Sequence, residues 1–349
     1  MLTDTLRNLV FFVALLGGVV TVHELGHLIA ALACRVRIDE IGLGLPPRLA
    51  RLGKIGSISI TLNALPVGGF VRPAGEFDAG TRGGLAAATP RARLAILSAG
   101  AAANLLLALS LLTAGFATGW PDQVELISVS PGSPAEAAGL RPGDILTGAN
   151  GRSVHAAGEL RDMLNANSGV PVSLEFERDS IHLSTVLTPR EYPQAGEGPA
   201  GFTSRGVIVR YPPLTAVGRA GEEIGQLVQS TVLLLLDLVR GVRLTDDVRL
   251  TGPIGMKQAS DRALENAVTW DEPFPVIYLA AWLSTIIGLT NMLPLPALDG
   301  GRIVFVLLEA IRRKRISDRL EKWVHAAGWA GLLLMLVVLT VQDLLHPLF

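Results

Sequence analysis

The stretch Leu9-Val-Phe-Phe-Val-Ala-Leu-Leu-Gly-Gly-Val-Val-Thr-Val-His23-Glu24-Leu25-Gly26-His27-Leu-Ile-Ala-Ala-Leu-Ala33 decides the fold. It is long and apolar enough to cross a bilayer, which takes about 20 such residues. No small-residue cleavage site precedes a polar region, so it reads as a retained span and not a leader. Two imidazoles and a carboxylate inside hydrocarbon are costly and mark function. Four residues apart on a helix, His23 and His27 project from one face about a turn apart, as two ligands of one metal must. Glu24 lies beside them, free to act as a base. Neutral imidazole suits Zn²⁺, and a zinc site with an open position lowers the pKa of a bound water to about 7. With 6 His and 16 Glu in the chain, His-Glu-x-x-His is expected about 0.005 times by chance.

Outward from this segment, the 349 residues are 49% hydrophobic and 17% charged, with mean hydropathy +0.43, the composition of a membrane protein. Lys+Arg (30) and Asp+Glu (31) nearly cancel, so nothing points to nucleic acid. The single cysteine, Cys34, excludes an intrachain disulfide framework. Leu94 to Thr118, Val276 to Leu298 and Trp323 to Gln342 are uncharged and of spanning length. Ile224 to Leu236 is too short and ends at Asp237; with Leu227, Val228, Leu235, Leu238 and Val242 it shows the helical spacing of an interfacial helix.

Arg and Lys set the orientation of the four spans, because short cytoplasmic loops retain positive charge. Residues 34 to 93 hold nine against four acids, and residues 299 to 322 hold seven, including Arg312-Arg-Lys-Arg315. Both segments belong inside, placing both termini and the long segment 119 to 275 outside.

Two histidines and a water leave one tetrahedral position open. His27 lies about six residues, roughly 9 Å, from the inner end of the first span. The third span runs the same way and ends in Asn291-Met-Leu-Pro294-Leu-Pro296-Ala-Leu-Asp299-Gly-Gly301, so Asp299 alone lies at matching depth. Pro294 and Pro296 cannot continue a regular helix, and irregular backbone at that depth is tolerated where it is buried in protein or lines a wet cavity.

With these motifs the sequence resembles a site-2 protease, one of the intramembrane zinc metalloproteases, and specifically the bacterial regulator-of-sigma-E protease branch. Further matching pieces are Leu65-Pro-Val-Gly68-Gly69-Phe70-Val71, Ser98-Ala-Gly-Ala-Ala-Ala-Asn104, a PDZ-like segment and Gly252-Pro-Ile-Gly255. The resemblance covers nearly the whole chain. It implies that His23, His27 and Asp299 bind Zn²⁺, that Glu24 is the catalytic base and acid, and that Asn291 helps to hold the substrate backbone beside Pro294 and Pro296. It also implies a membrane-reentrant β-loop over this segment, and the edge shaped by Gly68, Gly69, Phe70 and Val71 is the candidate for binding an unwound substrate. Phe70 stands where Tyr is common, and one PDZ domain stands where the enterobacterial type has two.

A hidden helical backbone must unwind before it can be cut, and an exposed hairpin edge can pair with the extended form. Ile58 to Asn63 alternates as a strand does, and Leu65 to Val71 reads as a turn-rich return. Residues 124 to 190 resemble the bacterial, circularly permuted PDZ domain, with its Ser-Pro-Ala helix start, its Arg141-Pro-Gly-Asp144 turn, a second helix over 156 to 166 and closing strands from Ser173 to Leu187. Its groove would take a C-terminal peptide by strand addition, or the domain would act as a steric filter.

The expected architecture is an α-helical polytopic membrane protein of four transmembrane helices, with a membrane-associated β-hairpin and an inserted extracytoplasmic α+β PDZ domain. Its parts are helix 1 with the histidines (1–34), the cytoplasmic or reentrant β region (35–90), helix 2 (91–119), the PDZ domain (120–190), a linker (191–215), the interfacial helix with the Gly-Pro-Ile-Gly segment (216–273), helix 3 with the Asn-Pro-Pro-Asp motif (274–298), a cytoplasmic loop (299–322) and helix 4 (323–346). The expected partners are the lipid bilayer of a bacterial inner membrane and a single-span substrate such as an anti-sigma factor already trimmed outside. Asn104 reads as helix packing and His325 as interfacial. Two other readings compete. A membrane-anchored zincin cutting at the cytoplasmic face would take Glu309 as its third ligand, and a nonenzymatic PDZ receptor would carry a relict metal site, against which the intact Glu24 argues. A proton-coupled transporter is disfavoured by four spans without an inverted repeat.

Overall fold

A computed structural model describes residues 2–154, 157–192, 198–240, 251–270 and 273–346. In chain order the elements are α1 (Leu2–Ala33), β1 (Ile38–Ile55), β2 (Ile58–Pro73), α2 (Pro90–Thr118), β3 (Trp120–Val129), α3 (Pro134–Ala137), β4 (Ile145–Ala149), β5 (Arg152–Ser153) and α4 (Ala157–Ala166). There follow β6 (Val172–Arg178), β7 (Ile181–Leu187), β8 (Phe202–Val209), α5 (Pro213–Val239), α6 (Pro253–Trp270), α7 (Phe274–Asn291), α8 (Asp299–Arg312) and α9 (Asp318–Leu345). The chain divides into two compact units, residues 1–113 with 217–349, and residues 114–216.

Four helices among the described residues are long and apolar enough to cross a membrane: Asp4–Ala33, Pro90–Thr118, Phe274–Asn291 and Asp318–Leu345. Local chemistry sets their ends. Pro90 opens α2, where Thr89 Oγ1 accepts the Ala92 N–H at 3.3 Å. Ser317 caps α9 by accepting the Leu320 N–H. The third span is shorter than the sequence suggests, because α7 stops at Asn291 ahead of Pro294 and Pro296. Much of residues 299–322, expected as a loop, is α8. Gly300 and Gly301 open it so close to the carbonyls of Met292, Leu293 and Leu295 that no Cβ fits, and Val306 and Glu309 are buried farther along it.

The β region is a single curled ribbon. Glu40–Leu43 of β1 lie between Ser59–Leu62 and Gly69–Arg72 of β2, while Arg48–Ile55 cover the outer side of Ile58–Asn63. Leu65–Val71, expected as a turn-rich return, is therefore strand, and Gly68 accommodates the path with φ +64° where a Cβ would meet Val20 Cγ1 at 2.5 Å. Glu40 is buried at the ribbon's centre and accepts bonds from Thr61, Arg48 and Arg72. Farther out, Leu43, Leu49, Leu52, Ile55, Leu62 and Leu65 stand exposed, an apolar surface suited to lipid.

The second unit is a PDZ domain. Its strands are ordered β7-β6-β4-β3-β8, with β5 on β4, around a core that includes Val124, Leu126, Leu146, Leu160, Leu174 and Phe176. Buried Asp144 of the Arg-Pro-Gly-Asp turn accepts two bonds from Arg178, at 2.6 and 2.7 Å, and one from the Arg141 N–H. The expected linker over 191–215 is overturned, because Phe202–Val209 pairs along β3 as the sheet's last strand. Gly and Pro ahead of it masked a strand that starts only at Phe202. Residues 193–197 of that segment, and Val242 of the interfacial pattern, lie outside the described residues.

Candidate metal and catalytic site

Three side chains from opposite ends of the sequence meet in the first unit. His23 Nε2, His27 Nε2 and Asp299 Oδ2 form a triangle with every side 3.1 Å. α1 supplies both imidazoles from one face, and the sharp Met292–Leu298 turn sets Asp299 at the first residue of α8. His27 Nδ1 donates to the Ile96 carbonyl at 2.8 Å. A carbonyl only accepts, so in the neutral ring this bond leaves Nε2 as a bare lone pair aimed at the other two atoms.

A carboxylate oxygen beside the lone pair of a neutral imidazole is a repulsive contact unless a cation lies between them. Donors 2.0–2.1 Å from a tetrahedral zinc stand about 3.3 to 3.4 Å apart, close to the triangle found here, and two imidazoles with one carboxylate suit that metal. Space is reserved as well. A Cβ on Gly100 would lie 2.5 Å from His27 Nε2 and 2.7 Å from His23 Nε2, so only glycine lets α2 pass this close to the ring nitrogens. The residues present fit zinc.

Glu24 sits next to the triangle on α1, and its Oε2 accepts the Val71 backbone N–H at 2.8 Å. His23, Glu24, His27 and Asp299 line a cavity of about 370 Å³ together with Gly69, Phe70, Val71 and Asn291. Asn291 donates from Nδ2 to the Ile287 carbonyl at 2.9 Å. Gly68 lies behind this wall against Val20, and Pro294 is exposed outside it. Pro296 packs against Gly328 of α9, where a Cβ would overlap its ring.

Several participants carry no sequence signal. His325, expected at the interface, is buried, and its Nδ1 accepts the Ala297 N–H at 2.9 Å, pinning the turn that carries Asp299. Ala297 is held there at φ +78°, a strained conformation for a residue with a side chain. Ile96 acts through its carbonyl and Val71 through its amide, which any residue but proline offers. Glu309, the third ligand of the competing zincin reading, is buried against Arg93 of α2 and accepts the Ile316 N–H, so it is committed elsewhere.

The chain is similar to known proteins along most of its length. The model of peptidase family M50 matches residues 11–336. A Clostridium perfringens protein that carries a zinc metalloprotease name is 30% identical over 97% of this chain and 99% of its own. The zinc metalloprotease RasP of Geobacillus kaustophilus is 26% identical over 98% and 99%. A solved PDZ domain of an SdrC-like protein from Listeria innocua matches 24% of this chain and 93% of its own length at 23% identity, with TM-score 0.22. The chain therefore belongs to peptidase family M50, the site-2 proteases, and is an intramembrane zinc metalloendopeptidase.

Proposed function

We propose that this enzyme cuts peptide bonds within or near the transmembrane segments of single-span proteins in regulated intramembrane proteolysis, its substrate being an anti-sigma factor first trimmed outside or the remnant of a signal peptide. The proposed setting is a bacterial inner membrane, with both termini and the PDZ domain outside and the site toward the cytoplasm. His23, His27 and Asp299 would hold the zinc, which when bound supplies Lewis acidity to polarise a peptide carbonyl and to make water usable near neutral pH. Glu24 would take a proton from the attacking water and return it to the leaving amine nitrogen. The Val71 N–H aims its carboxylate, and the Ile96 carbonyl fixes the tautomer of His27. Asn291 and the strand Gly69–Val71 would line the path of the extended substrate.

The observation that carries this reading is the 3.1 Å triangle of possible ligand atoms beside a carboxylate held by an amide. Metal analysis and cleavage of a transmembrane model substrate test it together. The parent should carry one zinc per chain. Asp299→Ala should lose it, and Glu24→Gln should keep it while cleavage falls by at least roughly a hundredfold, since an amide cannot accept the proton. Glu24→Gln within tenfold of the parent would remove Glu24 as the base.

A further inference from the structure

A second cavity, of about 530 Å³, lies between the start of α2 and the end of α8. Ala86, Ala87, Ala88 and Pro90 form one side, and Arg313, Lys314 and Arg315 the other. Its one acid, Glu309, is already neutralised by Arg93. Three positive charges are thus in excess. Arg315 is tied to the wall through the Ala86 carbonyl, while neither Arg313 nor Lys314 has an ion-pair partner among the described residues. Arg313 ends α8 in the left-handed conformation, φ +49°, turning the cationic run toward α9.

This turn lies at a membrane boundary. The span α9 begins at Asp318, three residues after Arg315. Leu307, Leu308 and Ile311 on α8, and Leu320 and Trp323 on α9, are exposed apolar side chains flanking the cations, and tryptophan favours the headgroup level. A solvated basic loop would orient the chain without any cavity. Here the charges converge on a hollow of small residues large enough for a phosphate headgroup, beside apolar side chains suited to its acyl chains.

We propose that this cavity binds the headgroup of an anionic phospholipid. The site has a mechanical link to the catalytic centre, since α8 carries Asp299 at its first residue and the basic turn at its last, and Arg93 ties it to the helix that holds Gly100 and Ile96. A bound headgroup would draw the end of α8 against the start of α2 and steady both walls of the metal site.

The test uses the full-length protein in nanodiscs of phosphatidylcholine alone or with phosphatidylglycerol, with native mass spectrometry, melting temperature and cleavage rate as readouts. A cation near an anionic surface is worth roughly fivefold in affinity, so Arg313→Gln with Lys314→Gln should weaken phosphatidylglycerol retention about twenty- to thirtyfold. The parent should retain one phosphatidylglycerol per chain, melt higher and cleave faster with it. The double variant should lose all three responses. Arg35→Gln with Arg82→Gln removes equal charge elsewhere and should keep them, as should the charge-preserving pair Arg313→Lys and Lys314→Arg. Equal retention by the parent and the Gln variant, or no preference over phosphatidylcholine in the parent, overturns the proposal. If inorganic phosphate in phosphatidylcholine discs reproduces the stabilisation, the ligand is a soluble anion and the lipid assignment fails.

Discussion

The backbone N–H of Val71 donates to Glu24 Oε2 across 2.8 Å, joining the inner strand of the ribbon to the first span. A carboxylate on a helix has several rotamers, and this bond selects one beside the metal triangle. The amide is therefore engaged with the proposed base, so its loss should act on chemistry before it acts on substrate capture.

Val71→Pro deletes that donor. A hydrogen bond to a charged group contributes about 1.5 to 3 kcal/mol, so kcat should fall roughly ten- to hundredfold, with KM and zinc content little changed. Substrates with stable helices and substrates already broken near the cut should lose activity alike. A loss seen only with helix-stable substrates, at parental melting temperature, would return Val71 to substrate capture.

Gly100→Ala places a methyl 2.5 to 2.7 Å from the two imidazole nitrogens. Either α2 moves away or the rings do, and both open the triangle. Zinc per chain should drop by about tenfold or more while helix content persists, because cores meet overpacking with small shifts and not with unfolding. A fully loaded Gly100→Ala protein would show that the metal position lies elsewhere.

The parts of this site legible in the sequence were those with side-chain chemistry at fixed spacing. His23, Glu24 and His27 announce themselves because a helix converts a four-residue interval into one face. Asp299 follows from depth and from the prolines that break its helix. Gly100 sits in a run of small residues that reads equally well as packing, and its job depends on which ring faces it. His325 looked interfacial because only the folded turn shows that its partner is the Ala297 amide. β8 was hidden behind a Gly- and Pro-rich approach, and α8 behind two glycines that are poor helix formers but fit where no Cβ can.

Arg93 and Glu309 join α2 to α8 with both side chains under one-tenth exposed. Removing one partner from such a pair costs about 3 to 5 kcal/mol, because the other charge is left buried alone. Arg93→Met should therefore lower the melting temperature sharply. Adding Glu309→Leu should recover most of the loss, leaving only the bond to the Ile316 N–H unmade. Additive losses in the double variant would mean that the two charges are stabilised independently.

Orientation has its own test, since reporter fusions read it without reference to catalysis. Fusions within 34–90 and 302–322 should report inside, and those within 124–210 outside. A PDZ unit reporting inside would leave the metal triangle intact but remove an externally trimmed protein as the substrate.

The PDZ unit carries a groove of about 420 Å³ between α4 and β8, lined by Leu160, Arg161, Leu164, Gly198, Ala200 and Phe202. Two roles predict different substrate dependence. If the groove takes a chain end by strand addition, a substrate whose outside stub ends in a free carboxylate should be cut with lower KM than its amidated twin. Arg161→Glu should narrow that difference without removing it, by placing a like charge at the groove. If the unit is a steric filter, free and amidated stubs should be cut alike, lengthening the stub should slow both, and Arg161→Glu should change neither. A charge contact at an exposed rim is worth only about 0.2 to 1 kcal/mol, so the direct effect of Arg161 on KM should stay within roughly fivefold. The ratio of free to amidated KM measures the whole carboxylate contribution, whatever part of it Arg161 adds.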